Sequence, residues 1–137
     1  MRIVLDTNVL VSGLLNPFGP PARILQLLAA GELSLCYDAR IFCEYRGVLS
    51  RPAFGFRRDR IDGLLEQLRA VGEPVAAIPL GHRLPDRDDE PFLEVALAAG
   101  AEYLVTGNLR HYPPRARGAL RVVSPASFLE IYKAGRT

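Results

Sequence analysis

Residues 3–10 read IVLDTNVL. A continuous, β-branched apolar run meets Asp6, Thr7 and Asn8, and the apolar pattern resumes at Val9. A run without a 3.6-residue period reads as a short buried strand over 2–5, followed by a short helix from Asn8 to Leu15. Asp6 then stands where a buried strand ends, although a loop would have held its charge at no desolvation penalty. Two readings fit it: a cap for the helix that follows, or a carboxylate held in place for chemistry.

The rest of the chain alternates in the same way. Pro20-Pro21 open a second helix that runs through Ala30, with Gly31 as its stop. LSLCY (33–37) is strand two, and Asp38 caps a helix to about Ser50 that Arg51-Pro52 ends. An amphipathic helix spans about 57–71, and strand three lies around Val75–Ile78. A polar loop containing PDRDDE precedes an apolar helix, Pro91 to Ala99, which ends at Gly100. EYLVTGN (102–108) carries strand four and LRVV (120–123) strand five. Ser124-Pro125 caps a last helix to about Lys133. Five short apolar strands separated by helices imply an α/β fold, a three-layer α/β/α sandwich around a five-stranded, mainly parallel sheet. At 137 residues and 49% apolar content, the chain suits a single domain over 1–137.

Composition narrows the setting. No apolar run approaches the ~20 residues that span a bilayer, so no membrane association is expected. The start lacks a secretory pattern. Cys36 and Cys43 fit neither a metal-binding spacing nor a disulfide framework, and read as reduced, mostly buried thiols of a cytoplasmic protein. The net charge is only +2, but all of the 17 basic residues except Lys133 are arginine. Arginine binds phosphate through two parallel hydrogen bonds. Two clusters are candidates for that contact: Arg57, Arg58 and Arg60, then Arg110, His111, Arg115 and Arg117. Both histidines, His82 and His111, lack a supporting spacing and read as surface or loop residues. Phe54, Phe56 and Tyr112 suit either an interface or the core.

In parallel sheets the functional crevice lies beyond the carboxyl ends of the strands, where the strand order switches. Asp6 follows strand one there. Asn108 follows strand four, after Thr106 and a turn at Gly107. Asp86, Asp88 and Asp89 gather near the start of the Phe92 helix, where one of them also suits a cap. At 100° per residue, Ile41, Phe42, Tyr45, Val48 and Leu49 form one apolar arc, and Glu44 falls about 40° outside Val48. Asp89 projects on the side of Phe92, Leu93 and Ala96, whereas Glu94 points away and reads as a solvated-face residue. Three converging carboxylates repel one another and need a cation. Oxygen ligands without cysteine or histidine pairs suit Mg²⁺ or Mn²⁺, ions commonly shared with phosphate.

IVLDTNVLVSGLL at the start, EYRGVLSRPAF from Glu44, DRDDEPFLEVALAAGAEYLVTGNLRHYP from Asp86 and VVSPASFLE near the end together resemble PIN-domain proteins. The likeness is strongest to the VapC-like branch, toxins of toxin–antitoxin pairs. It implies a PIN fold and a Mg²⁺- or Mn²⁺-dependent endoribonuclease, a homodimer restrained by a small antitoxin protein, with RNA as substrate. By position, the resemblance makes Asp6, Glu44 and Asp89 the first, second and third acids, with Asp86 a further one. The fourth position, frequently Asp in the family, is Asn108, which lacks a charge and puts a second metal ion in question. Asp6 and Asp89 would ligate the metal, and Glu44 would ligate it or accept the attacking water's proton. Asn8, Asp86 and Thr106 would orient the set. The rivals are a catalytically weakened PIN-like module that binds RNA or a partner, an aspartyl phosphatase, and a nucleotide-binding fold. The phosphatase pattern would need an acid where Asn8 stands, and the nucleotide fold needs a G-x-G-x-x-G after strand one.

Overall fold

The computed structural model describes residues 1–81 and 83–135. The apolar run that opens the chain forms β1 (Arg2–Leu5), from which the sheet grows on both sides. On one side lie β2 (Ser34–Tyr37) and the edge strand β3 (Glu73–Pro74). On the other lie β4 (Tyr103–Val105) and β5 (Arg121–Val123), giving the order β3-β2-β1-β4-β5. All four pairings are parallel, with Ile3 opposite both Leu35 and Tyr103. The topological switch therefore falls between β1 and β4, so the chain following each of these two strands meets at one place.

The connecting helices are α1 (Thr7–Leu15), α2 (Pro20–Ala29), α3 (Ala39–Leu49), α4 (Arg58–Val71), α5 (Glu90–Ala99), the short α6 (Pro114–Arg117) and α7 (Pro125–Ala134). Local chemistry sets their ends as the sequence suggests. The Asp38 carboxylate accepts the Ile41 amide and the Ser124 hydroxyl accepts the Ser127 amide, each an N-cap. Gly100 takes a left-handed turn (φ 61°) that stops α5. α1 packs on α2, α2 on α7, and α5 lies against β1, β2 and β4. A single buried cluster joins them, running from Ile3, Val4 and Leu5 through Leu35, Tyr45, Phe92, Leu104 and Phe128. Among the described residues, no helix is long and apolar enough to cross a membrane.

Three expectations need correcting here. Strand three is displaced towards its amino end: β3 covers Glu73–Pro74, and Val75 contributes only its amide, donated to the Tyr37 carbonyl at 2.8 Å. Glu73 is pinned at this position by the Arg2 guanidinium (2.8 and 3.0 Å), while Ile78 stands exposed. Cys36 is buried as expected, but Cys43 is exposed on α3. Glu94 is not a solvated-face residue: it is 8% exposed, because α5 is enclosed on nearly every side. Its carboxylate accepts Arg40 Nη1 from α3 at 2.7 Å and the Leu80 amide at 2.9 Å. One turn earlier, Glu90 accepts the Leu84 amide (3.0 Å) and Arg83 (3.1 Å). Two carboxylates of one helix thus tether the segment that leads into the aspartate-rich loop. His82, read from the sequence as a surface or loop residue, lies outside the described residues.

Glu94→Ala strands the Leu80 amide and leaves the Arg40 guanidinium to Asp38 alone. It should lower unfolding stability by about 2 kcal/mol, measured by urea denaturation, and speed amide exchange at Leu80.

Candidate active site

Asp6 is the fixed point of the site. It occupies the N-cap position of α1 in extended backbone conformation, yet its side chain makes no cap hydrogen bond. Its Oδ2 instead accepts Thr106 Oγ1 at 2.8 Å and Tyr112 Oη at 3.1 Å. The capping alternative therefore gives way, and the carboxylate is tied to the chain that leaves β4. Burial raises the Asp6 carboxyl above the ordinary aspartate range, and the two hydroxyl donors work against that shift by favouring the charged form.

The orienting residues follow the same topology. The Thr106 hydroxyl also accepts the Asn108 amide at 3.0 Å, so one side chain links Asp6 to the turn after β4. Asn8 Oδ1 accepts the Gly107 amide at 3.0 Å, closing that turn from the α1 side. A Cβ on Gly107 would sit 3.3 Å from the same oxygen, a tight contact that would press on the Asn8 side chain. Asp86 caps the 3-10 turn at Arg87–Asp89 by accepting the Asp88 amide.

Asp89 is 8% exposed, and its Oδ2 is buried. His111 Nδ1 faces that oxygen at 2.8 Å, and a proton on Nδ1 pairs with it. Burial, then the charge of Asp6, push the Asp89 carboxyl up to about 6, while His111 opposes the rise. Glu44 is half-buried on α3; burial and the charge of Asp88 raise it, and Arg51 opposes. Asp6, Asp86 and Asp88 all act on Glu44, and Asp6 and Asp86 on Asp89, which marks one shared electrostatic neighbourhood. Asn108 Nδ2 lies 2.7 Å from His111 Nε2. Among the described residues, Asp86, Asp89 and His111 present ligand atoms within 4.8 Å of one another. A buried carboxylate oxygen inside such a group suits a cation, so the donor set fits a divalent ion.

Several contributors went unseen in the sequence. His111 does not sit apart in a loop: a 3-10 turn at Leu109–His111 carries it back to Asp89. Tyr112 is buried and serves as a hydrogen-bond donor to Asp6. Phe54 and Phe56 stack 5.7 Å apart against the core. The groove beside Glu44, about 780 Å³, is lined by Arg40, Arg51 and Arg87 together with Asp88. These arginines are scattered along the chain, so clustering in sequence could not find them. Of the clusters that it did find, Arg57 pairs with Asp59, Arg60 lies over Phe56, and Arg110 and Arg115 are exposed beside His111.

A parallel sheet with a buried aspartate at its switch point and further carboxylates gathered round it defines an α/β protein with an acidic pocket at the carboxyl edge. The chain belongs to the PIN domain family: the model described as "PIN domain" matches residues 2–110, and proteins of this family are generally nucleases. The fold also resembles a solved chain of VapBC2 from Rickettsia felis, determined bound to a DNA fragment from their promoter. That match has a TM-score of 0.56 at 16% identity and covers 90% of this chain and 98% of the other. No curated protein matches the sequence significantly.

The raised carboxyls fix the sign of a pH effect. A carboxyl raised from 3.8 to about 6 adds stability that is complete below pH ~4 and lost as pH rises through 6. Glu90, which is lowered, acts oppositely but only below its ordinary value of 4.5. In EDTA the melting temperature should therefore fall by roughly 3–6 °C between pH 5 and pH 7. Asp89→Asn should flatten this slope in differential scanning calorimetry and raise the pH 7 value.

Proposed function

We propose that the protein is a Mg²⁺- or Mn²⁺-dependent endoribonuclease and the toxin of a toxin–antitoxin pair. The observation that carries this reading is the buried Asp89 carboxylate oxygen beside a second buried aspartate, Asp6, at the switch point of the sheet. Family membership supports nuclease chemistry. The likeness to a VapBC2 chain, with the sequence resemblance to VapC-like proteins, supports a small antitoxin partner. Homodimer formation and a cytoplasmic setting belong to the same reading.

Asp6 and Asp89 would hold the ion, with Glu44 and Asn108 completing or bordering its shell. When bound, a divalent ion lowers the pKa of a coordinated water and stabilises negative charge on the phosphate and the leaving oxygen. Thr106 and Tyr112 keep the Asp6 carboxylate oriented. Where Glu44 does not itself ligate the ion, it would accept the proton of the attacking water, a role its raised basicity suits. The water oxygen bonds to phosphorus, the bond to the leaving oxygen breaks, and solvent protonates that oxygen. Arg40, Arg51 and Arg87 would hold the flanking phosphates along the groove.

A catalytically weakened RNA-binding module is the second reading. It is favoured by Asn108, which brings no charge and whose amide faces His111. Cleavage of a structured RNA pool separates the two. The nuclease reading expects activity that EDTA abolishes and that falls roughly 100-fold or more in Asp6→Asn and Asp89→Asn. It expects Asn108→Asp to increase the rate. Equal cutting in EDTA, or by Asp6→Asn, sinks it.

Substituting Arg51 and Arg87 together by alanine should weaken RNA binding uniformly across sequences. The slope of log K against log salt should fall by about 1.4, since each lost single-strand phosphate contact removes about 0.7.

A further inference from the structure

We infer that His111 is itself a ligand of the metal site, through Nδ1, and that Asn108 is the residue that holds its ring in the ligating form. This makes the site a mixed oxygen and nitrogen centre, selective for a divalent transition ion over Mg²⁺. The inference rests on the proposed metal site but adds a ligand from beyond the stretch matched by the family model, which ends at residue 110.

Two observations carry it. First, His111 Nδ1 and Asp89 Oδ2 lie 2.8 Å apart, and Asp86 completes a group of ligand atoms within 4.8 Å of one another. Neighbouring ligands on an octahedral ion with bonds of ~2.1 Å are separated by about 3.0 Å, so the pair has the spacing of one edge of a coordination shell. Second, the other ring nitrogen is already occupied: Nε2 lies 2.7 Å from the Asn108 amide. Amide oxygen and nitrogen exchange places by a half-turn of the side-chain terminus. With Oδ1 towards the ring, Nε2–H donates to it and the Nδ1 lone pair is left facing Asp89. A hydrogen bond to the second ring nitrogen is the usual way a ligating histidine is oriented and its tautomer fixed. In that form the lone pair and the Asp89 oxygen are two acceptors 2.8 Å apart, an arrangement that a cation between them relieves.

Asn108 then has a role that aspartate would fill differently. It does not stand as an absent fourth acid; it is the positioning residue of a fourth ligand, and Thr106 holds its backbone in turn. Imidazole favours Mn²⁺, Co²⁺ and later ions over Mg²⁺.

The test uses the full-length chain with Co²⁺, Mn²⁺ and Mg²⁺, followed by calorimetric titration and by proton NMR of the Co²⁺ form. A histidine on Co²⁺ shows a strongly shifted, solvent-exchangeable ring N–H resonance. The expected result is that this resonance appears in the wild type and in His82→Gln, and disappears in His111→Gln and His111→Ala. The His111 variants should lose roughly tenfold or more in Co²⁺ affinity while Mg²⁺ affinity changes less than about threefold. Asn108→Ala should weaken Co²⁺ binding by about 10- to 100-fold, and Asn108→Asp, which keeps an acceptor for Nε2–H, should restore it. Co²⁺ binding that Asp89→Asn abolishes but that both His111 variants retain, with no such resonance, overturns the assignment and leaves the carboxylate site standing. Failure of the wild type to bind any of the three ions overturns both.

Discussion

The architecture turns on one buried charge. Asp6 ends a strand of the central sheet at 4% exposure, where an ionised carboxylate without donors would be untenable. The donors it finds are Thr106, one residue past β4, and Tyr112, which follows the turn that carries His111. Satisfying Asp6 therefore fixes the spatial relation between the ends of β1 and β4 and the path of the chain after β4. The acidic pocket is a by-product of this requirement: the segment that solvates Asp6 is also the one that brings His111 to Asp89.

The sheet was readable from the chain because its strands are continuous apolar runs bounded by capping and stop residues, signals that act over a few residues. Asp38, Gly100 and Ser124-Pro125 end or begin helices where local chemistry demands it. Strand three was misjudged because the apolar stretch at 75–78 carries the right composition, whereas the paired residues are set by Pro74, the Arg2–Glu73 ion pair and the Tyr37 carbonyl. Those are long-range constraints that no window reveals. The carboxylates came out of the same reasoning, because topology alone puts the end of β1 beside the end of β4.

What the chain concealed were partnerships between distant residues. Helical periodicity assigned Glu94 to solvent by assuming that α5 has an outer face; the loop tethered at Leu80 and the Arg40 guanidinium cover that face. His111 lies 22 positions from Asp89 and shares no motif spacing with it, so its approach depends on the tightness of the turn at Leu109–His111. The groove arginines illustrate the reverse error. Adjacent basic residues invite attention, yet the groove beside Glu44 is lined by arginines far apart in the sequence, from α3, the loop after it and the aspartate-rich turn, of which Arg40 is itself paired with Asp38 and Glu94.

The brevity of β3 bears on how the protein meets other copies of itself. An outermost strand normally offers a row of unmatched amides and carbonyls onto which a further strand can add. Here that row is two residues long, one of them is a proline that has no amide hydrogen, and the other is held by an arginine from β1. Beyond Val75 the described residues form no further strand before β4. This margin is poorly suited to extension by backbone pairing, so assembly into fibrous stacks is disfavoured at that side, and any association there has to be built from side chains.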